Sequence, residues 1–256
     1  MDRYNHHLHI IKHIHLNKAL HNKFNDLVIA DTFRLLALSM ISVFIPIFLL
    51  DSIKLNLWNI AWFELATFII SIFLHYVAIP LTGKVGVKKI MIISYLINSL
   101  TCLVLYFGSQ LNTALGSFYF ISLITILNAL PLSMYWSAHH IYFLKRTTSK
   151  NEGAKLGILK SIPLVISIAG PFIGSILIVR YSYNEVFLFS TLLLIAASFS
   201  LFFSEDIKIK TRLSWKEVLD SKNFKKNSVF FLQGLGACAT SFIWPVLLFW
   251  VSVKLI

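Results

Sequence analysis

Seven times along this chain an apolar run recurs at close to the length that crosses a bilayer: around residues 33–50, 57–81, 88–108, 113–143, 156–179, 185–203 and 228–253. A spanning helix needs about 20 mostly apolar residues, because the hydrocarbon core is about 30 Å thick and each residue advances about 1.5 Å. Lipid offers the backbone no hydrogen-bonding partner, so each run is predicted to be helical. The first run is short, and its helix is expected to reach back towards Leu27 through Asp31 and Arg34, with both charges at the membrane surface. Only 13% of the 256 residues are charged and mean hydropathy is +0.76, whereas a soluble domain carries roughly 25% charged residues. A water-soluble fold could not bury that much apolar surface. The predicted fold class is an all-α integral membrane protein.

A net charge of +12 would suit nucleic acid, but the positions of the basic residues point elsewhere. Of the 23 Lys and Arg, all but Lys54, Arg180 and Lys254 fall on one side of the seven-span topology. That asymmetry marks the cytoplasmic side, places the N-terminus there, and accounts for the charge without nucleic acid. A wrong number of spans would scramble it. No cleavable leader is expected, since the first 25 or so residues are polar and His-rich. Cys102 and Cys238 lie inside apolar runs and suggest no thiol metal site. His9 and His13, with His6 a turn earlier, would share a helix face in a basic prefix. With no carboxylate or thiol to complete a metal site, the prefix reads as an interfacial helix. No cofactor and no metal are expected.

Polar side chains inside spans are costly and usually face a bundle interior or a water-filled cavity. In the second span Glu64, Thr67, Ser71 and His75 fall within about 80° of one another at 100° per residue, a single polar stripe. Glu64 and His75 could each carry a proton; Glu64 could instead snorkel, and His75 could make a packed interior hydrogen bond. In the fourth span Pro131 is expected to kink the helix, as Pro46 does in the first. Beyond Pro131 two stripes lie on neighbouring faces: Trp136 with His140, and Asn128 with Tyr135 and His139. In the fifth span Ser167, Gly170 and Gly174, with Pro171, form a small-residue seam that lets another helix approach closely.

The loop after the second span, PLTGKVGVKK, resembles the Gly-x-Leu-Ala-Asp-Arg-x-Gly-Arg-Lys loop between helices two and three of the major facilitator superfamily (MFS). Leu81, Lys84, Gly86 and Lys88 match in type. Ile79, Gly83 and Val87 replace the first Gly, the Asp and the second Arg, and the missing Asp removes one element of the family's latch. The loop is expected to form a tight turn, with Gly83 and Gly86 free to take positive φ. Gly170-Pro171-Phe172-Ile173-Gly174-Ser175 resembles the Gly-Pro-x-x-Gly-Gly signature in the fifth helix of superfamily exporters. Tyr135-Trp136 with His140 resembles a bacterial branch, which favours the Trp136 and His140 stripe. The Trp244-Pro245 segment is similar to the family's seventh helix. Proton-coupled drug exporters carry an Arg within the fourth helix, and residues 111–143 contain none.

The resemblance implies a six-helix N-terminal bundle over residues 31–203, preceded by a cytoplasmic segment 1–30. A basic cytoplasmic linker, 204–227, and a seventh transmembrane helix, 228–256, would follow. On this reading the chain is a truncated secondary transporter in a cell membrane. It would act on a small molecule by alternating access, with export as one direction, and protons or another ion as coupling partner. The missing half, or another chain, would be needed for transport. The alternatives are a His-dependent membrane enzyme and a non-transporting scaffold or receptor. The third and sixth spans, uncharged beyond their first turns, are expected to face lipid.

Overall fold

The computed structural model describes residues 23–146 and 152–207, together with Leu247. The expected seventh span, the linker and the His-rich prefix up to residue 22 lie outside the described residues. The described chain forms α1 (Lys23–Ser42), α2 (Phe44–Asp51), α3 (Leu57–Val85), α4 (Val87–Tyr106), α5 (Gly108–Leu115), α6 (Ser117–Arg146), α7 (Glu152–Arg180) and α8 (Tyr183–Phe202), with no strand among the described residues. Among the described residues six stretches are long and apolar enough to span a bilayer: Asn25–Asp51, which joins α1 to α2, and one each in α3, α4, α6, α7 and α8. The fold is an all-α membrane bundle, as the hydropathy pattern required.

Local chemistry explains the breaks. The ring of Pro46 has no N–H for the Ser42 carbonyl, and α1 ends at Ser42 with α2 beginning two residues later. Pro131 is different, for α6 runs through it without interruption. The side chain of Asn56 caps α3 by accepting from the Asn59 N–H at 2.7 Å, and Ser182 caps α8 by accepting from the Asn184 N–H at 3.1 Å. The turn between α3 and α4 is tighter than predicted. Gly86, at φ +114°, is its only residue, whereas Gly83 is helical within α3 and has no positive φ. The helix persists through Pro80, which withholds only its own backbone donor, until the Gly86 N–H closes on Thr82 O.

The packing pairs follow one rule. The main contacts are α1 with α7 and α8, α4 with α6 and α8, and α3 with α6. With the spans numbered one to six, exchanging one with four, two with five and three with six maps this set onto itself. The three-helix repeat that no residue pattern reveals is therefore present in the packing. Spans one and four, the central pair, touch at few points along their backbones, which leaves room between them for side chains and a cavity.

Two apolar cores fill the ends of the bundle. One, with Leu27, Ala30, Ile90, Tyr142 and Leu201, lies at the basic end; the other, with Met40, Phe48, Ile60, Leu105 and Phe187, lies at the opposite end. The third and sixth spans are the most enclosed, since they pack on each other and on the central pair. Only one face of each is exposed, and it is apolar: Ile93, Leu96 and Leu100 on α4, and Leu188, Leu192, Ile195 and Phe199 on α8. Their spacing of three and four residues is a single helical stripe.

Candidate functional site

At the heart of the bundle a carboxylate is held by three helices. Asp31 on α1 is buried, and its Oδ1 accepts from the Tyr135 hydroxyl at 2.9 Å and the Tyr95 hydroxyl at 3.2 Å. Its Oδ2 lies 2.7 Å from His139 Nε2. Tyr135 and His139 are four residues apart on α6, so one helical face supplies both; Tyr95 comes from α4. A buried carboxylate without such partners would be strongly unfavourable. Among the described residues His139 Nδ1 has no hydrogen-bond partner. The Asp31 and His139 pair can hold a proton between carboxylate and imidazole or pass it on.

Arg34 stands three residues further along α1, equally buried, with its Cζ 3.5 Å from the centroid of the Tyr135 ring. This cation–π contact steadies the guanidinium, and the Tyr135 hydroxyl also takes a side-chain hydrogen bond from Arg34. Nε has no hydrogen-bond partner among the described residues. Arg34 makes no ion pair with Asp31 among the described residues.

The Arg34 side chain borders a cavity of about 340 Å³ between α1, α3, α4 and α6. Its polar lining comprises Glu64, Thr67, Asn98, Thr101, Asn128 and Ser42, whose hydroxyl donates to Ser39 O, and its apolar walls include Leu38, Ile41, Phe63, Phe68 and Leu132. A few polar groups on largely apolar walls are the usual make-up of a small-molecule site. The two threonines are occupied: Thr67 Oγ1 donates to Phe63 O at 2.8 Å, and Thr101 Oγ1 to Ile97 O at 3.0 Å. Arg34, Glu64, Asn98 and Asn128 remain as the groups able to orient a ligand.

The predicted residues separate into distinct places. Glu64 and Asn128 line the cavity, and Tyr135 and His139 hold Asp31. His75, deeper along the second-span stripe, has Nδ1 2.7 Å from Ser71 O. Trp136 and His140 are exposed and stack on each other with ring centroids 5.3 Å apart, on the face next to the Asp31 cluster. Gly170 and Gly174 are buried against Ser39, Met40 and Phe44 of the first span. Pro171 is half-buried, and Ser167 is exposed with its hydroxyl on Leu164 O. Among the described residues no three His, Cys, Asp or Glu side chains gather as metal ligands.

Asp31 and Arg34 depart most from the sequence reading. They are interior to the bundle, 2% and 6% exposed, where charges at the membrane surface were expected to meet water. Their charges lower the local hydropathy and made the span seem to start later than Asn25. The available signal was an Asp and an Arg three residues apart in an otherwise apolar helix, a spacing that turns both to one side. Tyr95 and Asn98 carried no comparable signal.

At the basic end a latch joins the α3–α4 turn to the end of α8. Asp206 Oδ1 accepts from the Lys88 backbone N–H at 3.0 Å, at the N-terminus of α4 where the helix dipole favours an anion. Lys88 Nζ donates to Phe202 O at 2.9 Å and to Ser204 O. Lys84 is exposed. A carboxylate missing from the loop is thus supplied from 120 residues further on, against Gly86, where only glycine leaves room for it.

Residues 27–255 match the sequence model described as Major Facilitator Superfamily. No curated protein matches the chain.

Proposed function

The chain belongs to the Major Facilitator Superfamily, and on that premise we propose that the cavity bounded by Arg34, Glu64, Asn98 and Asn128 is the substrate site of an alternating-access transporter. One observation carries this: the polar side chains of Arg34, Glu64, Asn98 and Asn128 converge on a cavity inside a membrane bundle, Arg34 Nε having no hydrogen-bond partner among the described residues, beside the central helix pair that packs loosely. Such groups are expensive in lipid and persist where they meet substrate, ion or water.

The protein is a multi-pass membrane transporter. Finer assignments form part of the proposal. The membrane is a cell membrane with the N-terminus in the cytoplasm, supported by the one-sided placement of Lys and Arg. The direction is export, supported by the resemblance of Gly170 to Ser175 to an exporter signature. The Asp31 and His139 pair is the coupling site, the ion being a proton. Rocking of two halves about a midplane site requires a second bundle facing this one, and the exposed apolar faces of α3 and α7 offer it a surface.

The test is transport of labelled small molecules in everted vesicles from cells making the protein with its second bundle. Glu64→Gln and Asn128→Leu should each abolish accumulation while the protein stays folded and membrane-inserted. Undiminished accumulation by both variants would refute the site.

A further inference from the structure

We propose that the cavity binds a ligand with one anionic group, a carboxylate in the simplest case, seated on Arg34 at one end of an otherwise apolar body. This rests on the cavity being the substrate site and specifies the class of molecule that it takes.

The argument starts from donors. A guanidinium presents five N–H bonds and no acceptor, and it stays charged under all conditions a protein survives. Arg34 is 6% exposed, yet its Nε finds no acceptor among the described residues. The carboxylate nearest in sequence is Asp31, and its oxygens are already engaged by Tyr95, Tyr135 and His139. The Tyr135 ring covers one face of the guanidinium and its hydroxyl takes one side-chain hydrogen bond from it, which leaves donors of the fork for whatever enters the cavity that Arg34 lines. A planar carboxylate matches that fork with two parallel hydrogen bonds.

The shape of the cavity sets the rest of the ligand. Counted back from Asp51, the end of the first span, Arg34 lies 17 residues away. Glu64 lies seven residues from Leu57, where the next span begins at that same end. The difference, about ten residues, is roughly 15 Å along the bundle axis at about 1.5 Å per residue. Arg34 and Glu64 therefore occupy opposite ends of the cavity, with Leu38, Phe68 and Leu132 among the apolar side chains that line it. An anion on Arg34 stays far from the Glu64 carboxyl, and the ligand body meets hydrocarbon. Inorganic anions and polyanions fit this arrangement poorly, since they would leave the apolar walls uncovered.

A matched set of probes tests this: 4-phenylbutyrate, 4-phenylbutan-1-ol and 4-phenylbutylamine, titrated calorimetrically into the full chain in nanodiscs of zwitterionic lipid, with empty nanodiscs as blank. The acid should bind at least tenfold more tightly than the alcohol or the amine. Arg34→Gln should bring the acid down to the level of the alcohol, and Arg34→Lys should recover part of the difference. Leu132→Trp, which fills the cavity, should remove binding of the acid. Alcohol or amine binding as tightly as the acid to the unmodified chain would overturn the anion assignment and leave the cavity reading intact. No binding by any of the three would overturn both. The comparison in the unmodified chain decides the matter even where Arg34→Gln does not fold. Acid binding unchanged by Leu132→Trp would show that the site is elsewhere.

Discussion

Replacing Gly174 by alanine tests the close approach of α7 to the first span. A methyl group there would sit 2.5 Å from the Met40 carbonyl oxygen and 2.8 Å from Phe44 Cε2, whereas ordinary contact begins at 3.4 Å. The Phe44 ring can turn aside, but the Met40 carbonyl is backbone and belongs to the α1 ladder. The helices must therefore part locally by about 1 Å, which as overpacking costs about 1–3 kcal/mol. Alanine's better helix propensity returns up to about 1 kcal/mol. The net loss is about 1–2 kcal/mol, which for a chain of this size is roughly 2–8 °C in melting temperature. Gly157 on the same helix serves as control, because a methyl there meets nothing within 4 Å among the described residues. Gly157→Ala should melt at or above the parent temperature. The assay is thermal unfolding of the purified chain in neutral detergent, followed by tryptophan fluorescence and by loss of the monodisperse peak after heating. A Gly174→Ala protein that melts as high as Gly157→Ala would refute the reasoning.

Other outcomes follow from the buried network and the latch. Asp31→Asn removes the charge beside Arg34 and presents an amide to three donors, so a loss of about 3–5 kcal/mol is expected; Tyr95→Phe, removing one hydroxyl, should cost about 0.5–1.5 kcal/mol. Melting of the two variants side by side checks the order, and equal values would contradict it. Asp206→Ala uncaps the first turn of α4 and should lower stability by about 1 kcal/mol, read as a shift of a few degrees in the same assay. Joint replacement of Trp136 and His140 by alanine should leave 4-phenylbutyrate binding within about twofold, because both side chains lie outside the cavity lining; a tenfold loss in calorimetry would return them to the site.

The spans were legible because lipid permits the backbone few choices: a run that is apolar for the thickness of the bilayer must be helical, and its length is then known. The rotation of each helix about its axis was not. On α6 both Tyr135 with His139 and Trp136 with His140 satisfy helical spacing, and the choice between them depends on what α1 and α4 present opposite. Asp31 and Tyr95 make that choice from more than 30 residues away. Arg34 illustrates another limit. Hydropathy counts a charge as evidence against the membrane interior, so a buried charge erases the signal of the span that contains it. The Asp206 latch was hidden for a third reason, since the loop motif predicts its acid locally and the fold supplies one from the far end of α8.

The interchange of packing partners between the two triplets of spans bears on how the protein is made. Contacts run mainly between triplets, with span three lying against four and six, span two against four, and span one against five and six. Within a triplet the helices barely touch. The ribosome delivers the first three spans, through Tyr106, before any partner exists, and the last partner ends at Phe202. At about 5–20 residues per second, those 96 residues take about 5–20 s to synthesise. For the first part of that interval, until α6 (Ser117–Arg146) is made, Asp31 and Arg34 sit in the membrane without Tyr135 or His139 to receive them. Something must shelter them meanwhile, whether the insertion machinery or water at the headgroups, and that waiting time is a cost of building one bundle from two interlocked halves.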